Sequence, residues 1–313
     1  MTPDVSIVIV NWNTKALLLQ CLDSIKQSTR NLSLQIIVVD NASSDGSSEA
    51  VTAQFPGVTL VCSSQNLGFA KANNKGLHLA TGRYVALINS DVIVLEDCLQ
   101  TLIRWMDCHA DIGLVGPEVL NGDRTLQHSG KRDPNLWRLF SEALFLDKIP
   151  FLWQAFPGSD MKAKELANNC CVEVLSGCFW MARKEALIKV GGLDERFFMY
   201  CEDNDWCRRF RLAGWIVFYY KEARAVHFGG ASSANAPERF FIELKRAQLQ
   251  YLEKYYGNRG RIIGRAIVFL HSFLRVVLWS LIDRVEPNEH PRAGYIRAKN
   301  LACLSWLRRE TTR

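Results

Sequence analysis

The stretch FAKANNKGLHLATGRYVALINSD, residues 69–91, contains one helix, one strand and the polar group that follows the strand. Residues 69–80 are typical of a helix that ends at Thr81-Gly82, because glycine is favoured just after a last helical turn. Residues 84–88 form a short apolar run, as in a strand buried on both faces. The stretch therefore predicts a sheet covered by helices, with Asn89-Ser90-Asp91 at the end of a strand.

The same alternation continues on both sides of this stretch. Apolar runs predict strands over residues 5–10, 36–39 and 58–61, and apolar spacing predicts helices over 17–25 and 96–108. Strands that alternate with helices indicate an α/β fold with a mostly parallel sheet. Ligands of such sheets bind at the carboxyl ends of the strands. Asp40 and Asp91 both stand where a predicted strand ends, so they are the first candidates for function.

The second half of the chain is less regular. The periodicity weakens from residue 122 to 169, where several prolines, tryptophans and phenylalanines stand. Beyond this region we predict strands over 172–175, 179–182 and 215–220, and helices over 184–190 and 203–213.

After Pro237 the composition changes to that of a basic helical extension. Residues 239–313 contain fifteen lysines and arginines against six acids, a net charge of +9, which leaves −3 for the rest of a chain of charge +6. We predict two domains, 1–238 and 239–313. The basic part favours an anionic neighbour, of which a membrane surface is expected and nucleic acid is not; a merely soluble basic tail is the alternative.

Within the extension, a helix is predicted over 238–255 with a break near Gly257-Asn258. Residues 261–282 are strongly apolar but contain three basic residues, which a bilayer span seldom carries. On a helical wheel the polar positions share one narrow stripe. This pattern suits a helix in a membrane interface and a core helix equally well. The stripe consists of Arg261, Arg265, Ser272 and Arg275.

The ten cysteines show no zinc-ligand spacing and mostly stand in apolar runs, as reduced core thiols do. Residues 1–10 lack the basic start and the cleavage site of a signal peptide. A cytoplasmic, reducing compartment is the expectation.

Four polar groups could carry chemistry. Asp40 opens a small polar run after a strand, and Asp91 could hold a divalent cation beside phosphates. Three acids crowd into residues 202–205 beside aromatics, which favours a raised pKa and a general base. His227 precedes the loop Gly229-Gly230-Ala231-Ser232-Ser233, which could close over phosphates. Turns, helix caps and a structural histidine explain each group taken alone.

Taken together, these groups fall into four segments in a fixed order. The chain resembles the inverting glycosyltransferases of family 2, which have the GT-A fold, and most closely the bacterial rhamnosyltransferase branch. The resemblance covers roughly residues 4–240 and implies a Rossmann-like, mixed but mostly parallel sheet flanked by helices. The segments are VSIVIVNWN at 5–13, IIVVDNASSDGS at 36–47, NLGFAKANNKGLHLATGRYVALINSDV at 66–92, and the block at 175–233 from LSGCFWMARKEALIKVGGLDERFFMYCEDNDWCRRFRLAGW to AVHFGGASS.

The resemblance also implies a role for individual residues. Asp203 matches the catalytic base, with Glu202 as the alternative carboxylate. Asp91 and His227 would hold Mg²⁺ or Mn²⁺, with Asn89-Ser90-Asp91 in place of the two-acid motif usual in the family. Asp205 and Trp206 would face the acceptor. The residues implied in binding the nucleotide sugar are Asn11, Asp40, Asn66, Lys71, Asn74, Ser90 and Asp91.

The implied reaction transfers a hexose, with L-rhamnose favoured, from a dTDP- or UDP-sugar to a hydroxyl of a glycan or lipid-linked acceptor. A cation neutralises the departing diphosphate and a carboxylate removes the hydroxyl proton. Two alternatives stay open. A sugar-nucleotide nucleotidyltransferase would need a glycine-rich basic loop after the first strand, where Asn11-Trp12-Asn13 stands. A non-catalytic nucleotide- or glycan-binding module would not need Asp91, Asp203 and His227.

Overall fold

The computed structural model describes residues 2–29, 31–230, 236–285 and 293–310. The chain forms two compact units. The strand-rich unit consists of residues 1–133, 160–198 and 202–232. The helical unit consists of residues 134–159, 199–201 and 233–313. The helical unit therefore includes, besides the predicted extension, a segment of the region 122–169 in which the sequence shows no clear pattern.

The strand-rich unit is built on one twisted sheet with the order β3-β2-β1-β4-β11-β6-β12-β5. The neighbours β3, β2, β1 and β4 are parallel, β6 and β12 are parallel, and β11 runs antiparallel between β4 and β6. The strands are β1 (Val5–Asn11), β2 (Leu34–Asp40), β3 (Thr59–Cys62), β4 (Tyr84–Asn89), β5 (Val92–Val94), β6 (Ile112–Leu120), β7 (Leu126–Gln127), β8 (Gly130–Lys131), β9 (Cys170–Cys171), β10 (Val174–Leu175), β11 (Phe179–Arg183) and β12 (Ile216–His227).

Helices cover both faces of this sheet, because the central residues of β1 are apolar on both sides. Ile7 and Ile9 lie in the core cluster that α1 and α4 cover, while Val8 lies in the cluster with residues of α3, α6 and α7. The helices of this unit are α1 (Lys15–Ser28), α2 (Ser47–Gln54), α3 (Phe69–Leu79), α4 (Cys98–Cys108), α6 (Lys184–Val190) and α7 (Glu202–Leu212).

Helix α3 lies unusually close to the sheet. A Cβ atom on Gly76 would stand 2.3 Å from a methyl carbon of Val8, so only glycine fits at this position without displacement. This contact fixes the segment that leads into β4 and its polar end.

The predicted fold class, a mixed and mostly parallel α/β sheet flanked by helices, is confirmed. Several strands differ from the sequence analysis. The strands β5, β6, β7, β8 and β9 had no predicted counterpart, and β12 continues seven residues beyond the predicted end at Tyr220. The pairing of β12 with β6 shifts register between Tyr220 and Arg224. Charged residues stand in this irregular stretch, so the apolar pattern stops at Tyr220 although the strand continues. All ten cysteines are free, as expected.

The helical unit contains α5 (Leu136–Ala143), a short 3₁₀ turn (Leu146–Lys148), α8 (Pro237–Val285) and α9 (Ala293–Glu310). The predicted break lies at Gly257, whose φ of 65° interrupts α8. The core of this unit is small and is formed by Leu249, Val268, Cys303, Trp306 and Leu307, with a second cluster of Leu139, Ala143, Leu252 and Ile267.

Three of the four positions of the polar stripe predicted on α8 face protein, while Arg261 is exposed and pairs with Glu253. Arg265 donates to the carbonyl of Leu307 in α9, and Ser272 is fully buried. Arg275 donates to the carbonyls of Glu142 (2.9 Å) and Ala143 (3.1 Å) at the end of α5. These carbonyls have no partner inside α5, so the arginine completes its last turn.

The opposite side of α8 is apolar and exposed. Ile262 is 60% exposed, Phe269 48%, Phe273 46% and Leu281 53%. These positions are seven, four and eight residues apart, close to whole numbers of helical turns, so they lie toward one side of the helix. We call this the outer face of α8. Among the described helices, α8 alone is long and apolar enough to cross a membrane by length and composition.

Candidate active site

A buried hydrogen-bond network joins the ends of three parallel strands. The amide of Asn11 donates to Asp40 Oδ1 (3.1 Å) and to Ser43 Oγ (3.0 Å). The hydroxyl of Thr14 lies 2.7 Å from Asn11 Oδ1 and 2.8 Å from Ser90 Oγ. Asp40 also accepts from the backbone N–H of Ser43. The network therefore fixes the carboxylate of Asp40 and the hydroxyl of Ser90 at the strand ends where ligands of such sheets bind.

A second set of bonds shapes the loop before α3. The side chain of Asn41 donates to Asn66 Oδ1 (3.0 Å) and accepts from the N–H of Leu67 (2.8 Å). Asn66 also accepts from the N–H of Gly68. Lys71, in the first turn of α3, is exposed and makes no hydrogen bond within the described residues. Its charge is therefore available to an anionic ligand.

Asp91 and His227 converge after the ends of two strands. Asp91 Oδ1 lies 3.2 Å from His227 Nε2, and both side chains are largely buried. The other ring nitrogen, Nδ1, lies 2.7 Å from Gln127 Oε1, an atom that can only accept. Gln127 itself donates to Asn121 Oδ1 (2.8 Å). Nδ1 therefore carries the proton, and Nε2 is the nitrogen directed at the carboxylate.

The protonation of His227 follows from these contacts. Burial alone would lower its pKa, but hydrogen bonds with Asp91 and Cys178 outweigh burial and raise the pKa to about 10. In the absence of a cation, His227 is thus a charged partner of Asp91 at neutral pH. Asp91 and His227 are the side chains that would hold a divalent cation here, and His227 would have to lose a proton to do so.

The residues present fit a divalent cation. Beside the pair, Asn89 Oδ1 is buried without a hydrogen-bond partner in the structure, an orphan oxygen of the kind that hard cations bind. Within the described ranges no three histidine, cysteine or acidic side chains are arranged so that they could hold a metal ion together. A cation here would therefore have two protein ligands and would need phosphate oxygens and water for the rest, as is usual for Mg²⁺.

Glu202 and Asp203 stand at the first turn of α7. Burial raises the pKa of Glu202 well above its ordinary value, the charge of Asp203 adds to the rise, and Glu202 Oε2 has no hydrogen-bond partner in the described structure. Burial also raises the pKa of Asp203, while the nearby charge of Lys131 opposes the rise. Asp203 Oδ1 accepts from Asn204 N and Nδ2. Of the two, Asp203 is the better placed to carry the negative charge.

The turn Gly177-Cys178 brings the base and the metal ligands together. The carbonyl of Cys178 accepts from Asn89 N (2.9 Å), and its thiol hydrogen-bonds with His227. The backbone of Gly177 hydrogen-bonds with Asp203. Asp203, His227 and the end of β4 therefore border one site.

Three predicted site residues lie elsewhere. Asn74 is buried and fully engaged, since it donates to Leu193 O and Glu195 Oε1 and accepts from Leu193 N. Its side chain connects α3 to the loop after α6, and no atom is left for a nucleotide.

Asp205 and Trp206 have no exposed surface for an acceptor to contact. Asp205 pairs with Arg209 one turn later at 2.8 Å. Trp206 packs against Trp180 and donates its indole N–H to Gly191 O. Both residues hold α7 in place, and the prediction that they face the acceptor is wrong for this structure.

Asn11 also has a different place from the predicted one. Its side chain is completely buried and its amide is saturated by Asp40, Ser43 and Thr14. It can orient Asp40 but cannot itself touch a base or ribose. The loop prediction for Ser232 and Ser233 falls outside the described residues.

Sequence reasoning missed Gln127, Cys178, Thr14 and Lys131. Gln127 lies in the region 122–169, where no pattern indicated a strand. Cys178 reads as a core thiol because its surroundings are apolar. The signal that was available is position: Thr14 follows the polar end of β1, and Cys178 follows the Ser-Gly turn before β11.

An α/β sheet with an acid–histidine pair at its strand ends and a buried acid dyad at the first turn of α7 has the features of an enzyme site. Residues 6–191 match the sequence profile of glycosyl transferase family 2, and the chain belongs to this family. It is a glycosyltransferase.

Two curated relatives and one solved structure resemble the chain over most of its length. It is 28% identical over 298 residues to the N-acetylglucosaminyl-diphospho-decaprenol L-rhamnosyltransferase of Mycobacterium tuberculosis, covering 88% of this chain and 95% of that protein. It is 31% identical over 264 residues to the amylovoran biosynthesis glycosyltransferase AmsE of Erwinia amylovora, covering 82% and 88%. The mannosyltransferase PcManGT of Pyrobaculum calidifontis, solved with GDP-Man and Mn²⁺, shares the fold with a TM-score of 0.57 at 16% identity, covering 97% and 87%.

Proposed function

We propose that the chain transfers a hexose, with L-rhamnose favoured, from a dTDP- or UDP-sugar to a hydroxyl of a glycan or lipid-linked glycan, and inverts the anomeric centre. The names of the two relatives support this assignment, because one is an L-rhamnosyltransferase with a lipid-linked acceptor and the other acts in amylovoran biosynthesis. The product would belong to a cell-surface polysaccharide.

The observation that carries the proposal is the convergence of Asp91 and His227, with 3.2 Å between Oδ1 and Nε2, beside the turn that contacts Asp203. We propose that these two side chains hold Mg²⁺ or Mn²⁺, as the Mn²⁺ in the structurally similar mannosyltransferase supports. A bound cation would neutralise the negative charge that develops on the departing nucleoside diphosphate. Lys71 is available to a phosphate, and Asp40 and Ser90 to the nucleoside or sugar hydroxyls.

The chain's own residues then provide the proton transfer. Asp203 accepts the proton of the acceptor hydroxyl as that oxygen attacks the anomeric carbon. A carboxylate with a raised pKa holds this proton more firmly, which makes it a stronger base. Glu202, buried and with a more strongly raised pKa, stays neutral beside it and does not compete for the role. One displacement requires no second nucleophilic carboxylate.

We further propose that the protein works in the cytoplasm, peripherally on the inner face of the cytoplasmic membrane. The support is the exposed outer face of α8 together with the net charge of +9 over residues 239–313. An apolar helix face within a basic region is the combination that binds anionic bilayers.

A panel of nucleotide sugars tests the reaction. With Mn²⁺ present, we expect one dTDP- or UDP-sugar to raise the melting temperature most and to be consumed when a lipid-linked or soluble glycan acceptor is added. Inversion is read from the anomeric proton of the product. Pyrophosphate release from a sugar 1-phosphate and a nucleoside triphosphate would favour a nucleotidyltransferase instead. Tight donor binding without transfer or donor hydrolysis would favour a binding module.

A further inference from the structure

The helical unit contains an apolar groove that the proposed reaction does not yet use. The groove has a volume of about 450 Å³ and lies between α5 and the part of α8 after its break. Pockets of roughly this size hold small organic ligands. The side chains that line it are all apolar, and they include Leu136, Trp137 and Phe140 of α5 and Ile263, Ala266 and Leu270 of α8.

Trp137 forms one wall of the groove, and its indole nitrogen is bonded outside the groove. The indole N–H of Trp137 donates to Ala155 O (2.9 Å), and the ring stacks on Phe156 at 4.9 Å. Trp137 is nevertheless 49% exposed, so its apolar surface faces the groove and the solvent. A groove that offers no polar partner holds water poorly and is suited to a hydrocarbon.

The groove opens beside the outer face of α8. Ile263 both lines the groove and is 49% exposed, and the exposed positions Phe269 and Phe273 continue along the helix. The arginines of the same helix, Arg265 and Arg275, are used by carbonyls inside the unit. Beside the groove, these two arginines are therefore directed into the unit, while apolar side chains face outward.

We propose that this groove binds the prenyl chain of a lipid-linked acceptor. The inference rests on the proposed function, in which the acceptor is lipid-linked. A prenyl diphosphate combines a hydrocarbon chain with an anion, and the helical unit offers an apolar groove within a sequence of net charge +9. A soluble sugar would find no hydrogen-bond partner in the groove. The relative from M. tuberculosis, named for a decaprenol-linked acceptor, supports the choice of a prenyl chain.

The test compares two acceptors that carry the same diphospho-sugar on a long prenyl chain or on a short, water-soluble alkyl chain. Ala266→Trp fills the groove. We expect it to raise KM for the long-chain acceptor about tenfold, the order of effect of altering an apolar pocket. KM for the short-chain acceptor and the donor, and kcat with both acceptors, should stay at wild-type values. The matched control, Ala298→Trp on the exposed side of α9, should change neither KM.

Two outcomes of this comparison would overturn the proposal. An equal rise of KM for both acceptors would mean that the groove does not distinguish a prenyl chain from a short alkyl chain. An unchanged KM for the long-chain acceptor would mean that the prenyl chain lies elsewhere.

A binding experiment on the wild-type chain decides the matter even if Ala266→Trp does not fold. Farnesyl diphosphate with a diazirine at the chain end should label residues 134–143 and 259–275, and unlabelled farnesyl diphosphate should compete. Labelling at other segments, or equal competition by phosphatidylglycerol vesicles, would refute a prenyl site. Transfer to soluble glycans alone, with the labelling intact, would instead count against the proposed acceptor and leave the groove assignment standing.

Discussion

The two units of the chain differ in where they bury polar side chains and in how much apolar surface they expose. The strand-rich unit has an apolar core, and its buried polar residues at the strand ends, such as Asn11 and Asp40, are paired with one another. The helical unit buries polar residues inside its small core. Lys245 is only 6% exposed, and burial lowers its pKa to about 8. Large apolar residues on the outer face of α8 are exposed instead.

This difference shows what each unit is adapted to. Burying an unpaired polar group destabilises the fold, so the buried polar groups at the strand ends are paired. Such pairing also holds the side chains of a ligand site in fixed positions. Exposed apolar residues on one side of a helix are unfavourable in contact with water but favourable in contact with hydrocarbon. We expect changes in the strand-rich unit to affect chemistry and stability, and changes on the outer face of α8 to affect location.

The largest expected effect is on catalysis. Asp203→Asn removes the proposed base without changing the size of the side chain. Turnover should fall about 10³-fold, within the range for a lost general base, while donor affinity stays within about twofold because the donor site is untouched. Glu185→Gln, an exposed acid on α6, is the control. Near wild-type turnover of Asp203→Asn would assign the base to another residue, with Glu202→Gln as the next variant to measure.

A large effect on stability should follow in the core of the same unit. Trp206→Ala deletes a fully buried ring that packs on Trp180 and Phe210. The free energy of unfolding should fall by about 3–5 kcal/mol, as for other buried aromatic residues, in chemical denaturation followed by circular dichroism. A loss below 1 kcal/mol would contradict the structural role assigned to Trp206 and would reopen its predicted contact with the acceptor.

The inward arginines of the helical unit should matter nearly as much. Arg275→Leu keeps the bulk of the side chain but removes the charged donor to the carbonyls of Glu142 and Ala143. The loss should be about 1.5–3 kcal/mol, the value of hydrogen bonds to a charged group. Arg284→Leu, at an exposed position near the end of α8, is the matched control. Equal stability of both variants would mean that Arg275 does not anchor α5.

The metal pair should make cation binding depend on pH. Because the pKa of His227 is raised to about 10, Mn²⁺ must displace a proton at neutral pH. The apparent affinity should rise on the order of tenfold per pH unit between about 7 and 9, as measured by calorimetry. His227→Gln should remove this slope, and Gln127→Leu should weaken binding about 10- to 100-fold, as loss of an orienting partner does. A flat profile in the wild type would exclude His227 as a ligand.

The same raised pKa has a consequence for the cation-free protein, with the opposite sign. The contribution of the pair to stability is fully present below the unfolded pKa near 6.5 and is lost as the pH rises through about 10. The melting temperature without metal should therefore decline over this window in the wild type, and the decline should be smaller in His227→Gln.

The smallest effect on folding is expected on the outer face of α8. Phe273→Ser replaces a ring that is 46% exposed, and the free energy of unfolding should change by no more than about 0.5 kcal/mol, as at other surface positions. Binding to anionic vesicles should nevertheless weaken severalfold, measured by sedimentation, because apolar area drives insertion. Unchanged vesicle binding in Phe273→Ser and in Phe269→Ser would mean that the outer face of α8 does not bind membranes.

Regular apolar patterns made much of the fold predictable. The helix predicted at 184–190 has those bounds, and the break near Gly257 was readable because glycine weakens any helix. The family motifs placed Asp91, Asp203 and His227, which the structure brings to one site. Strand β6 was not predicted because Gly113, Gly116 and Pro117 interrupt its apolar run. Asn74, Asp205 and Trp206 could not be assigned from motifs, since spacing places a residue on an element but does not reveal which side is buried.

The chain of hydroxyls at the strand ends has a direction. Both amide hydrogens of Asn11 are committed to Asp40 and Ser43, so its oxygen must receive the single hydrogen of Thr14. Thr14 can then only accept from Ser90, whose own hydrogen is thereby spent. Ser90 offers lone pairs alone to whatever binds beside it. The Ser90 oxygen can accept a hydrogen bond from a sugar or ribose hydroxyl, or bind a cation. It cannot donate to a phosphate oxygen, which has no hydrogen of its own to offer.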